Sequence, residues 1–302
     1  MTGIEDLAAR AKEKPRRPVL AVVCPYDAHT LKAAARASRE GIAEVALYGG
    51  ADIINAALAS LGVPGGGFDI VDLPSPAEAL AAAVGSARRG GAGIIMKGLV
   101  GTSDFLRAVL SRGDGLRQEG GGGLLSAFGL FETPRYHKLF AVSDFAMNVA
   151  PDLPEKRAIL ENAAGFLRAL GVDTPKIAVL SEAERVNPKS QASVDALELK
   201  RVNETGGIAD CVVEGPIAFD LAMSREAAEI KGYASPVAGE ADLLVVPDVV
   251  TGNALVKSLT IFGGARTAGV LLGARVPVVL TSRSAETDDK YYSIALAALG
   301  AK

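Results

Sequence analysis

Short apolar, often β-branched runs alternate with alanine-rich stretches along nearly the whole chain, and no other feature narrows the fold as much. The runs are VLAVVC (19–24), EVALYG (44–49), FDIVDL (68–73), GIIM (93–96), LFAVSD (139–144), KIAVLS (176–181), DCVVEG (210–215), ADLLVVPD (241–248) and VPVVLTS (276–282). Between them, segments such as HTLKAAARASREG and EKRAILENAAGFLRALG place apolar residues mostly at i, i+3, i+4 and i+7. Several of these segments open after Ser, Asp or Thr and close at Gly, as helices do. Nearly continuous apolar strands alternating with helices predict an α/β fold with a mostly parallel sheet covered on both faces.

At 302 residues there is room for one large or two medium domains. Prolines in MNVAPDLP (147–154) suit a linker, and the Gly/Ala-rich segment 263–273 is a second soft point. The run Gly120–Gly123 reads as a flexible connection after a helix. Apolar residues at 49% and charged residues at 22% are ordinary for a globular chain. A net charge of −3 argues against a nucleic-acid partner, which needs clustered Lys and Arg. Apolar runs such as 243–246 and 276–280 are too short to span a bilayer. The first residues, MTGIEDLAARAKEKPRRP, lack an apolar h-region, so the expected compartment is the cytoplasm. Cys24 and Cys211 make neither a disulfide framework nor a zinc cluster.

Ligands of doubly wound sheets sit beyond the carboxyl ends of the strands, and polar residues collect there. GIIM is followed by Lys97, Thr102 and Ser103, with Arg107 one helical turn beyond Ser103. LFAV is followed by Ser143 and Asp144, ADLLVV by Asp248, Thr251 and Asn253, and VPVVL by Thr281, Ser282 and Arg283 ahead of Asp288 and Asp289. Each has a structural alternative. Acids at a helix start favour the dipole, Thr251 or Asn253 can cap a helix, and Cys24 suits a small core site better than a nucleophile. His29 belongs to a helix start and His137 to the surface. GxxxxGK[ST], HExxH, paired CxxC, a strand-following GxGxxG and G-x-S-x-G are all missing from the sequence. The residues by themselves reach an α/β enzyme with an anion-binding cleft.

Four stretches resemble the phosphate acetyl/butyryltransferase family over essentially the whole chain: KGLVGTSDFLRAVL (97–110), LSEAERVNPKSQASVDALEL (180–199), SPVAGEADLLVVPDVVTGNALVK (235–257) and VVLTSRSAETDDKYYSIALAAL (278–299). ERVNPK and TSRS look more like the butyryl branch. Ser190-Gln191 departs from a Met-Pro-like pair, a change that either alters the acyl pocket or carries no consequence. The resemblance implies two domains of the isocitrate/isopropylmalate dehydrogenase-like kind, 1–149 plus 271–302 and 150–270, a cleft site between them, and a homodimer at least. It implies the reaction acyl-CoA plus phosphate giving acyl phosphate plus CoA, with no metal or redox cofactor and CoA as a substrate.

Position by position, the resemblance makes Ser282, Arg283 and Asp289 the catalytic set. It places Lys97, Thr102, Ser103, Arg107, Asp144, Ser235, Gly239, Asp248 and Asn253 toward substrate. Asp289 then takes the CoA thiol proton, Ser282 hydrogen-bonds the developing thiolate and Arg283 forks onto phosphate. A thiol near pKa ~8.5 and a carboxyl near ~3.9 differ by about 6 kcal/mol, so the base must be raised or the thiolate stabilised. Three rivals remain open. An acetyl optimum would indicate a phosphate acetyltransferase. CoA binding without turnover would indicate an acyl-CoA-binding protein. Chelator-sensitive nicotinamide reduction would indicate a metal- and NAD-dependent decarboxylating dehydrogenase.

Overall fold

The structure, a computed structural model, describes residues 3–117, 123–282 and 285–301. Arg283 and most of the four-glycine run, Gly120–Gly122, lie outside the described residues. The chain divides into two compact units, one made of Gly3–Gly123 with Thr267–Lys302, the other of Leu124–Arg266. The first unit is therefore discontinuous in sequence. Its boundaries fall at 123/124 and 266/267 rather than at 149/150 and 270/271. Residues 124–149 belong to the second unit because the strands they form pair within it.

In the first unit the chain forms α1 (Glu5–Lys12), β1 (Val19–Val23), α2 (Ala28–Arg39), β2 (Glu44–Gly49), α3 (Ala51–Ser60), β3 (Asp69–Asp72), α4 (Pro76–Arg88), β4 (Ile94–Lys97) and α5 (Thr102–Val109). The second unit contributes β5 (Ser126–Glu132), β6 (Phe140–Ser143), α6 (Leu153–Ala169), β7 (Lys176–Leu180), α7 (Gln191–Glu204), β8 (Val212–Ile217), α8 (Phe219–Met223), α9 (Arg225–Ile230), β9 (Leu243–Val245) and α10 (Val249–Ile261). The chain then returns to the first unit with β10 (Arg266–Leu272), β11 (Val278–Val279) and α11 (Thr287–Gly300).

Strand order in the first unit is β3-β2-β1-β4-β11-β10. The pairs β2–β3, β1–β2, β1–β4 and β4–β11 are parallel, and β10–β11 is antiparallel. The second unit runs β5-β6-β9-β7-β8, parallel except for β5–β6. Most pairings are thus parallel, and apart from the edge strand β3 the expected apolar strands are largely buried, as two-faced sheets require. The nine expected strands all form. β5 and β10 are the two that periodicity does not mark, and each supplies an antiparallel pairing. Both carry a glycine inside the strand, which weakens an alternation signal. At Gly129 of β5 a Cβ would lie 2.8 Å from the Phe131 ring and 2.9 Å from that of Phe145, so aromatic packing demands the glycine.

Helix starts follow local chemistry. Asp27 accepts from Thr30 N and caps α2, Ser75 caps α4 ahead of Pro76, and Asp152 with Glu155 forms a reciprocal capping box on α6. No helix among the described residues is long and apolar enough to cross a membrane.

Candidate active site

In the first unit, the carboxyl ends of β1, β4 and β11 lie side by side, since Val23 is in register with Lys97 and Met96 with Val279. The loop after β4 is zipped to the end of β1: Gly98 N donates to Val23 O at 2.9 Å and Leu99 N to Cys24 O at 2.7 Å. A Cβ on Gly98 would stand 2.4 Å from Cys24 O, so only glycine permits this approach. Lys97 is 7% exposed, and its Nζ donates to Gly98 O and Val100 O, both at 3.0 Å. Its charge is thereby held on the loop that leads to α5. Gly101 opens α5 without a side-chain cap, and Thr102 and Ser103 are exposed in its first turn. Such a helix start offers amide hydrogens to an anion. Arg107 is exposed and pairs with Asp104 at 2.9 Å on the same helix.

β11 delivers half-buried Thr281 and exposed Ser282, whose carbonyl accepts from Ala285 N at 3.1 Å. Glu286 and Asp289 cap α11 reciprocally, with Glu286 N donating to Asp289 Oδ2 at 3.2 Å. Burial pushes the Asp289 carboxyl above its ordinary pKa. The neighbouring charges of Glu286 and Asp288 add to this, while the Glu286 amide and the Lys290 charge oppose it. The carboxyl is thus a stronger proton acceptor than an ordinary aspartate. Lys97, Thr102, Ser103, Ser282 and Asp289 accordingly all sit at strand ends or helix starts of this unit.

The second unit holds the other five expected residues, and two have other duties. Asp144 is 3% exposed, and its Oδ1 accepts from the backbone N–H of Ala127, Ala146 and Met147. Its Oδ2 accepts from Asn148 N and, at 2.5 Å, from Asn148 Nδ2. Five donors occupy the carboxylate, so it organises the turn after β6. At Gly239, close approach to a substrate and turn chemistry explain the glycine about equally well from the sequence. It has φ +66° and lies so close to α9 that a Cβ would sit 2.4 Å from Arg225 N. Its glycine is needed for packing. Ser235 is half-buried, and its hydroxyl accepts from Val237 N at 3.2 Å in a local turn. Asp248 caps α10 through Thr251 N at 2.8 Å, and Asn253 is exposed on that helix.

Asp248 also lines a cavity of about 590 Å³ with Pro151, Lys156, Gln191, Asp195 and Pro247. Lys156 and Asp195 form a buried ion pair at 2.7 Å, and Gln191 donates to the other Asp195 oxygen at 2.7 Å. The Ser190-Gln191 departure thus reaches the wall of this cavity. Sequence reasoning does not single out Lys156 or Asp195, whose pairing spans 39 positions. It also misses Lys290, whose Nζ donates to Thr281 Oγ1 at 3.0 Å. A lysine directly after two first-turn acids was the available signal. Cys24 is buried with a left-handed φ of 50°, and burial pushes its thiol pKa up against a hydrogen bond with Tyr26. That suits a packed residue, not a nucleophile. Among the described residues no group of three or more His, Cys, Asp or Glu side chains could hold a metal ion.

Residues 75–298 match the family model described as phosphate acetyl/butaryl transferase. The chain is 38% identical to phosphate butyryltransferase of Clostridium acetobutylicum over 98% of its own length and 97% of the relative's. It is 37% identical to phosphate acetyltransferase of Thermotoga maritima over 98% of its length and 99% of that protein. Among solved structures, a branched-chain phosphotransacylase from Enterococcus faecalis V583 superposes with a TM-score of 0.82 at 32% identity, covering 94% of this chain and 100% of that one. The match of sequence across nearly the full length, together with that of the fold, establishes that the chain belongs to the phosphate acetyl/butyryl transferase family.

Proposed function

We propose that the protein interconverts butyryl-CoA, or a similar short-chain acyl-CoA, and phosphate with acyl phosphate and CoA. The observation that carries the reading is the strand-end set of the first unit, where a carboxyl raised by burial, Asp289, opens the helix that follows Ser282. Asp289 removes the CoA thiol proton as the sulfur attacks the acyl phosphate carbonyl. The carbonyl carbon–oxygen bond to phosphate then breaks, and phosphate leaves with the electron pair. In reverse, a phosphate oxygen attacks the thioester, the carbon–sulfur bond breaks and protonated Asp289 returns its proton to the sulfur. Ser282 donates to the charged sulfur, and Arg283 forks onto phosphate. The amides of the α5 start and the Lys97 charge favour the anionic reactants.

CoA is a substrate in this scheme, and no step calls on a metal or redox cofactor. The reading further assigns the enzyme to the cytoplasm and to a homodimer or larger homo-oligomer, which light scattering at working concentration would test. The central test is release of CoA from acetyl-, propionyl-, butyryl- and valeryl-CoA, each with and without phosphate, followed with a thiol reagent. Phosphate-dependent release with the highest kcat/KM for butyryl-CoA is expected. An acetyl optimum would assign the acetyl reaction, to which the Thermotoga maritima relative also points. Release independent of phosphate, or none at all, would overturn the proposal.

A further inference from the structure

Lys290 stands in the first turn of α11, where the partial positive charge of the helix gathers, and its side chain is only 4% exposed. Both features disfavour an ammonium there, so its retention calls for a specific contact. Its Nζ donates to Thr281 Oγ1 at 3.0 Å, crossing from the helix to the end of the strand nine positions earlier. Asp27, at the start of α2, and Asp289 add electrostatic support, while burial pushes the ammonium pKa down. Thr281 immediately precedes Ser282, and the chain between β11 and α11 is a short connection carrying the Ser-Arg pair. A hydroxyl pinned to the helix at Thr281 fixes where the next residue leaves the strand.

We propose that Lys290 is a positioning residue, its ammonium holding Thr281 so that β11 presents the Ser282 hydroxyl in a single direction. The idea rests on Ser282 facing the reactants, as above. It differs from the serine-arginine-aspartate assignment by adding a residue that acts through a hydrogen bond to the backbone's neighbour and touches no substrate. Such a residue acts on alignment in the transition state, so its loss lowers kcat and leaves ground-state binding in place.

The experiment compares K290M, T281V, T281S and the K290M/T281V pair by steady-state kinetics, with thermal melts to confirm folding. K290M and T281V are each expected to lower kcat about tenfold or more, with KM for acyl-CoA and for phosphate within about twofold. T281S keeps the acceptor oxygen and is expected to hold kcat within about threefold of the parent. The double variant is expected to fall no further than the worse single one, because both remove one contact. If K290M fails to fold, T281V and T281S carry the comparison alone. A folded T281V with parental kcat, losses that multiply in the double variant, or T281S as slow as T281V would each overturn the proposal. S282A run alongside separates the two readings. A normal S282A with a slowed T281V removes the role of Ser282 and leaves Lys290 as an anchor of the strand end.

Discussion

Asp289 faces two demands at the scale of a residue under the proposed reaction: it caps its own helix and, as the proposed base, must accept a proton from a far weaker acid. Burial raises its pKa, which eases the second demand and has a stability consequence of definite sign. A carboxyl whose folded pKa exceeds its unfolded value binds its proton more tightly when folded. It therefore costs stability above the folded pKa, and stability recovers as pH falls through that value. Asp289→Asn should raise Tm at pH 7 while lowering kcat by about 10²–10⁴ with little change in KM. An unchanged kcat would eliminate Asp289 as the base. Gly98 poses a simpler demand. Gly98→Ala places a Cβ against two β1-end carbonyls and should cost about 1–3 kcal/mol in urea unfolding, with lowered activity from the displaced loop. A glycine directly after Lys97 is visible in sequence, but its reason, two carbonyls from a strand more than seventy positions away, is not.

The elements behind the first-unit site are tied by charge. Arg36 of α2 stacks over the Tyr291 ring, with its guanidinium carbon 3.7 Å from the centroid, and its Nη1 reaches Asp288 at 3.0 Å. Glu40 accepts from Lys12, Arg36 and Tyr291, joining α1, α2 and α11. Desolvation alone would raise the Glu40 pKa, but these three partners hold it at about 2. A depressed carboxyl pKa stabilises the fold above the unfolded value, and that contribution is lost as pH falls through the folded one. Glu40→Gln should cost about 1–3 kcal/mol at pH 7, and the difference from the parent should shrink between pH about 4.3 and 2. A gap that stays constant over that window would rule the ion network out as its source. In the second unit, Lys156→Met should cost about 3–5 kcal/mol, because it strands buried Asp195. Replacing both partners with apolar residues should restore most of that loss in the same unfolding assay. The apolar strands and the helix starts were legible because period and capping are local signals. These long-range pairs were not, since nothing in the sequence near position 156 points to position 195.

At the scale of the whole molecule, the strand-end rule led to the first-unit residues Lys97, Thr102, Ser103, Ser282 and Asp289, because parallel strands bring their carboxyl ends to one side of the sheet. The same rule reached Asp144, which sits at a strand end and also organises the backbone around it. At Gly239 the structure adds a packing reason for the glycine, its close approach to Arg225.

The discontinuity of the first unit bears on how the enzyme comes into being on the ribosome. β4 finishes at Lys97, yet its neighbour β11 and the helix carrying Asp289 are synthesised only after the entire second unit. The nascent first unit therefore waits with one flank of β4 unpaired, while the uninterrupted second unit already holds all of its own strands. The second unit should gain protease resistance earlier in synthesis, and Ser282 and Asp289 can join the unit that holds Lys97 only after the whole second unit has been made. A ribosome stalled before position 278 would hold a chain with Lys97 and α5 in hand and without the strand and helix that carry Ser282 and Asp289.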